Sequence, residues 1–128
     1  MARPVSDLLT AREAQIMEIL WQRGPCTAEM VREALPDEPH DSTVRTLLRI
    51  LKDKSYVCIR GRQPAVYEAK IGRVQVQKNA TQSLLARFFG GSADALMHRL
   101  VEDEELTSAQ LEQWRKTLAK RKAKGEGS

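Results

Sequence analysis

The sequence predicts a mainly α fold with a small β-hairpin, and three observations predict it. Apolar residues recur at spacings of three and four between residues 10 and 54, a run of strand formers surrounds a glycine and proline turn at residues 56–68, and helical periodicity returns from Ile71. With 128 residues, 41% hydrophobic and 30% charged, the chain has material for one small domain and an appendage but not for two full cores.

The first helix is expected to start at Thr10, with Glu13 three residues on to complete a capping box. Ile16, Met17, Ile19, Leu20 and Trp21 form its broad apolar face, and Gly24-Pro25 stops it. Thr27 caps a short second helix carrying Met30, Val31, Ala34 and Leu35, which Pro36 ends. A polar connector from Asp37 to His40 leads to a third helix that begins at Asp41 or Ser42 and runs to Asp53 or Lys54. Winding residues at about 100° each puts Val44, Leu47, Leu48 and Leu51 on one side. Ser42, Thr46, Arg49 and Asp53 fall opposite, with Thr43 and Arg45 on the flanks.

Tyr56-Val57-Cys58-Ile59 and Ala65-Val66-Tyr67-Glu68 then read as two strands around the turn Gly61-Arg62-Gln63-Pro64. From Ile71 the helical pattern carries Val74, Leu84, Leu85, Phe88 and Phe89, is broken by Gly90-Gly91, and resumes behind Ser92 with Leu96, Leu100 and Val101. After the acidic group Glu102 to Glu105, Thr107 and Gln110 form a second capping box, Leu106 and Leu111 a hydrophobic staple, and Leu111, Trp114 and Leu118 an apolar stripe. The polar segment from Arg121 is expected to fray.

Three short helices followed by a basic hairpin describe a winged helix-turn-helix, assigned to residues 1–70. The sparse apolar positions behind it describe a helical dimerisation arm at 71–122, with a flexible tail at 123–128. The apolar residues of the arm need a cover, which a second copy supplies through Leu84, Leu85, Phe88, Phe89, Leu96, Leu100, Leu111, Trp114 and Leu118; packing back onto the winged domain is the alternative.

Charge distribution points to an anionic partner. The net charge is +4, yet residues 1–41 carry four Arg against eight Asp and Glu, net −4, whereas residues 42–70 carry seven Lys and Arg against Asp53 and Glu68, net +5. Short Ser and Thr side chains let a helix approach a groove about 12 Å wide, and arginine offers a planar fork for guanine or phosphate. Thr43, Arg45, Thr46 and Arg49 are therefore the candidate base contacts, Thr46 and Arg49 being best oriented, while Ser42, Lys52, Lys54, Arg60 and Arg62 are the candidate phosphate contacts. Alone, this helix face reads first as the solvated side of an amphipathic helix. The basic hairpin beside it favours double-stranded DNA.

Other chemistries lack their residues. His40 and His98 sit in no metal-binding motif, the acidic group lacks the ordering of a calcium loop, Gly90-Gly91 has no following Lys-Ser or Lys-Thr, and no catalytic constellation is present. An enzyme, a metal site and a cofactor are therefore not expected. Cys26 and Cys58 read as free structural thiols in a reducing compartment. With no apolar run near 18 residues and no signal-peptide pattern, a cytoplasmic protein without a membrane partner is expected. The competing function is a winged-helix protein-interaction module without specific DNA binding.

Several ordered pieces carry a family resemblance over about residues 7–118: Leu9-Thr10-Ala11-Arg12-Glu13 with Ile16-Met17 and Leu20-Trp21; Gly24 and Thr27; the run from Ser42 to Leu51; Tyr67; Phe88-Phe89-Gly90-Gly91-Ser92; and the acidic stretch ending in Leu106. The chain resembles the penicillinase-repressor family of bacterial transcriptional regulators, which includes repressors of beta-lactamase and methicillin-resistance genes and the copper-responsive CopY proteins. The resemblance implies a homodimeric repressor on dyad-symmetric operator DNA, with recognition residues at Thr43, Arg45, Thr46 and Arg49 and a dimer signature at Phe88, Phe89 and the Gly90-Gly91-Ser92 turn. Antibiotic-responsive members carry a cleavable Asn-Phe bond where this chain has Arg99-Leu100, and copper-responsive members end in Cys-x-Cys pairs, whereas this chain has no cysteine after Cys58. Neither induction device carries over, so the implied releasing partner is an unidentified protease or another signal.

Overall fold

The computed structural model describes residues 9–126, with side chains to residue 123. Helix α1 (Ala11–Arg23) starts with the expected capping box: the Glu13 amide donates to Thr10 Oγ1 at 3.1 Å, and the Thr10 amide donates to Glu13 Oε1 at 2.9 Å. Gly24 ends it at φ 84°, its N–H donating to the Leu20 carbonyl at 2.9 Å, a conformation that glycine adopts without a Cβ clash.

The stop at Gly24-Pro25 has a second role that periodicity does not reveal. It turns the chain into a two-residue strand, β1 (Cys26–Thr27), and Thr27 then caps α2 (Ala28–Ala34) by accepting from the Met30 amide at 3.2 Å. Two residues are too few for a period-2 signal; only their partner strand defines them.

Helix α3 (Asp41–Asp53) is capped by His40, not by Asp41 or Ser42: the Ser42 amide donates to His40 Nδ1 at 3.1 Å. The last residue of the polar connector thus satisfies an otherwise orphaned helix N–H. At the other end Ser55 adopts φ 72°, and the Tyr56 amide donates to the Leu51 carbonyl at 2.9 Å, turning the chain into the hairpin.

The hairpin strands are β2 (Val57–Arg62) and β3 (Ala65–Ala69), so the turn is narrower than expected and leaves only Gln63-Pro64 between them. Ile59 opposes Tyr67 while Gly61 opposes Val66, which makes Arg60 the extra residue of a β-bulge. β1 pairs antiparallel with β3 at Cys26↔Tyr67 and Thr27↔Val66, giving the sheet order β1-β3-β2.

These elements share one core. Ile16, Met17 and Leu20 of α1, Val31 and Leu35 around α2, and Val44, Leu48 and Leu51 of α3 are buried with Cys26, Ala28, Tyr56, Val57 and Tyr67. Leu47, on the apolar side of α3, packs against this cluster while remaining half-buried. Among the described residues Glu13 is the buried charged one, and Lys54 Nζ reaches its Oε1 at 3.0 Å.

Helix α4 (Arg73–Phe88) begins within this first unit, which ends at Ala80, rather than leaving it at residue 70. Trp21 Nε1 donates to the Ile71 carbonyl at 3.0 Å, Arg73 stacks 5.4 Å over the Trp21 ring and pairs with Glu18, and Ile71 and Val76 pack against the core. Contacts from α1 therefore hold the first turns of α4.

The second unit begins at Thr81 and contains the rest of α4, then α5 (Ala93–Glu102) and α6 (Ser108–Glu126). Gly90 and Gly91 turn the chain at φ 57° and 80°, Ser92 Oγ accepts from the Ala95 amide at 3.0 Å, and Thr107 and Gln110 form the second capping box through bonds of 2.8 and 3.1 Å. α6 continues through residues 121–126, where the sequence suggests fraying, because Arg, Lys and Ala are strong helix formers. Residues 127 and 128 of the expected tail lie outside the described residues.

Candidate nucleic-acid interface

Burying Val44, Leu48 and Leu51 forces the opposite side of α3 outward. Ser42, Thr43, Arg45, Thr46 and Arg49 are all exposed. Ser42 Oγ lies 2.9 Å from His40 Nδ1, so part of its hydrogen-bonding capacity is used at the helix start. Arg45 Nε donates to Asp41 Oδ2 at 2.8 Å, and that hydrogen bond, with the attraction between the charges, raises the Arg45 pKa above its ordinary value.

The pairing of β2 with β3 brings the wing beside this face. Arg45, Thr46, Arg49 and Lys52 of α3 line a groove of about 330 Å³ with Ile59 and Tyr67 of the hairpin. A second, larger groove of about 850 Å³ runs along the wing and is lined by Lys52, Arg60, Arg62 and Lys70 over Val57, Cys58, Ile59, Gly61 and Ala65. Lys52 and Ile59 belong to both. One basic tract thus continues from the helix to the hairpin, and a cleft lined by one sign of charge concentrates its field on an approaching polyanion.

Within the tract, Arg60 Nη1 donates to Glu68 Oε1 at 2.6 Å, and this bond raises the Arg60 pKa. Arg49, Lys52, Arg62 and Lys70 have no ion-pair partner among the described residues.

Of the residues singled out in the sequence, Lys54 is placed differently. Its side chain is 11% exposed and committed to Glu13, so the proposed phosphate contact is instead a strut of the fold. A one-dimensional charge count cannot separate a lysine on the tract from one turned inward. Lys70 and the exposed Ile59 join the tract without a sequence signal of their own, although Lys70 belongs to the same basic block; its N–H closes the hairpin base on the Tyr56 carbonyl at 2.8 Å while its side chain lines the wing groove.

The candidate pairing residues lie in the second unit. Leu84, Phe88, Leu111, Trp114 and Leu118 are exposed, Leu85, Phe89, Leu96 and Leu100 are half-buried, and no residue from 81 to 123 is fully buried within the single chain.

The penicillinase repressor family matches residues 9–120, spanning the core, the basic tract, α4, α5 and most of α6. The chain belongs to this family. It is accordingly a DNA-binding transcriptional regulator of the winged helix-turn-helix repressor type, and not an enzyme. Among solved structures it is similar to BpsR of Bordetella bronchiseptica, studied for the regulation of its DNA binding by 6-hydroxynicotinic acid, with 21% identity over 77% of this chain and 76% of that one and a TM-score of 0.48. No curated protein matches.

In this penicillinase-repressor chain no group of three or more His, Cys, Asp or Glu among the described residues could hold a metal ion, and no described helix is long and apolar enough to cross a membrane. Both cysteines are free thiols. Burial pushes the Cys26 thiol up, against the opposing charge of Arg23, and a thiol held protonated is a poor nucleophile.

Proposed function

We propose that the chain is a homodimeric repressor that occupies dyad-symmetric operators. The observation carrying this reading is the groove where Arg45, Thr46, Arg49 and Lys52 of the helix meet Ile59 and Tyr67 of the hairpin, and which continues through Lys52 into the wing groove with Arg60, Arg62 and Lys70. Thr43, Arg45, Thr46 and Arg49 read base edges; Ser42, Lys52, Arg60 and Arg62 contact phosphates. The winged module presents one half-site reader, and a second copy presents the other.

Pairing is supported by the second unit. Three helices with no fully buried residue between 81 and 123 cannot be stabilised by their own packing, because amphipathic helices depend mainly on burying their apolar face. A second copy covers Leu84, Phe88, Leu111, Trp114 and Leu118. A releasing signal, protease or otherwise, then acts by weakening that pairing.

Titration of the protein with genomic DNA fragments at physiological salt, followed by footprinting, tests the reading. A protected site with dyad symmetry is expected. Weak binding to every fragment, with no protected site, would sink it.

A further inference from the structure

The arginine-carboxylate hydrogen bonds among the described residues are not alike. Arg12 gives both Nη groups to Asp37, Arg32 and Arg115 each give Nε and an Nη to a neighbouring glutamate, Arg73 does the same with Glu18, and Arg60 gives Nη1 to Glu68. Arg45 differs: it binds Asp41 through Nε alone, at 2.8 Å. A guanidinium has five N–H donors, and the four on its two Nη groups form the end-on fork that matches guanine O6 and N7.

We infer that Asp41 is a positioning residue for base readout: it grips Arg45 from the side and holds its free Nη fork toward guanine. The inference rests on the operator-binding reading above and adds a determinant of specificity to it. Two features support it beyond the bond itself. Asp41 stands one turn before Arg45 on α3, so the carboxylate is fixed by the helix and not by a mobile loop. Arg45 also lines the groove with Thr46 and Arg49, and its side chain remains 58% exposed while paired, so the grip does not hide it. An unsupported arginine would lose side-chain freedom on binding; a pre-oriented one loses less.

The bond also has a bland interpretation, an exposed helix pair of small worth. The two make opposite predictions, because a carboxylate at a DNA surface repels phosphates when it does nothing else. Binding-site selection by the full-length protein from a randomised duplex pool about three helical turns long, followed by titration of the selected duplex and its single-base variants, separates them.

Arg45→Ala is expected to lose discrimination at one guanine by about 5- to 150-fold, the range for a bidentate contact. Asp41→Ala should lose preference at that same guanine, and Asp41→Asn, which keeps an acceptor for Nε, should largely retain it. Uniformly tighter binding of Asp41→Ala to every duplex with the guanine preference intact would overturn the inference, as would an Arg45→Ala protein that selects the wild-type site. Failure of the wild-type protein to select any sequence is a different result, which removes the operator-binding reading and the buttress with it. Matching thermal melts of the two Asp41 variants exclude a folding defect as the source of the difference between them.

Discussion

Lys54 Nζ lies 3.0 Å from Glu13 Oε1, tying the end of α3 to the first turn of α1. Glu13 serves two elements: one carboxylate oxygen accepts the Thr10 amide of its own capping box and the lysine that ends α3. With side chains only 3% and 11% exposed, removal of Lys54 leaves the Glu13 carboxylate without this cation in a poorly hydrated site. Lys54→Met is expected to destabilise the protein by about 3 kcal/mol in urea unfolding, the lower end for a buried pair, with Glu13→Gln/Lys54→Met closer to wild type than the two single losses add up to. Additive losses would show that the pair is not coupled.

Ser55 terminates α3 at φ 72°, where a Cβ is strained and glycine is not. Ser55→Gly should raise stability by up to ~1 kcal/mol without altering DNA affinity, since relief of strain outweighs the added freedom of the unfolded chain. Equal or lower stability in a paired denaturation experiment would refute this.

The wing's charges divide into occupied and free. Arg60 is held by Glu68, whereas Arg62 has no acidic partner among the described residues. Arg62→Ala should weaken binding to all duplexes alike and reduce the slope of log affinity against log salt by about one. Glu68→Gln should strengthen binding to all duplexes by releasing Arg60 and removing a repulsive charge. Affinities on one mixed-sequence duplex across a series of salt concentrations measure both effects.

How far the sequence reveals this architecture depends on the range of each interaction. Thr10 with Glu13 and Thr107 with Gln110 are bonds between residues three apart, so residue spacing alone identifies them. The face of α3 is legible for the same reason. β1 is not, since Cys26 and Thr27 become a strand only through Tyr67 and Val66, some forty residues away. Lys54 and Lys70 look interchangeable in a charge count; the fold turns the first toward Glu13 and leaves the second lining the wing groove. His40 is missed because imidazole is an uncommon helix cap, Ser, Thr, Asp and Asn being the usual ones.

Exposure within the second unit makes the pairing reading testable without DNA. Phe88 is 68% and Leu118 67% exposed in the single chain. Phe88→Glu/Leu118→Glu should convert a dimer to a monomer in sedimentation equilibrium at micromolar concentration, because a shared apolar interface would then bury four unpaired carboxylates. The winged core, which contains neither residue, should keep its fold. An unchanged mass would place the pairing surface elsewhere.

Glu18, Trp21 and Arg73 hold the start of α4 on α1, and one member of the trio titrates. The Arg73 hydrogen bond, more than the attraction between the charges, lowers the Glu18 carboxyl below its ordinary value of 4.5, while partial desolvation opposes the shift. A carboxyl whose pKa is lowered by folding stabilises the native state above its unfolded value and loses that contribution as pH falls through the folded one. The clamp is therefore complete at neutral pH and weakens only below about pH 4.5. Wild type should melt slightly above Glu18→Gln at pH 7, and the gap should close in more acidic buffer; the exposed Asp37-Arg12 pair, present in both proteins, cancels from the difference. Trp21 fluorescence in a Trp114→Phe background should follow the same pH course, since Arg73 stacks on that ring. A melting gap that persists unchanged to pH 3 would assign the effect of Glu18→Gln to packing and not to charge.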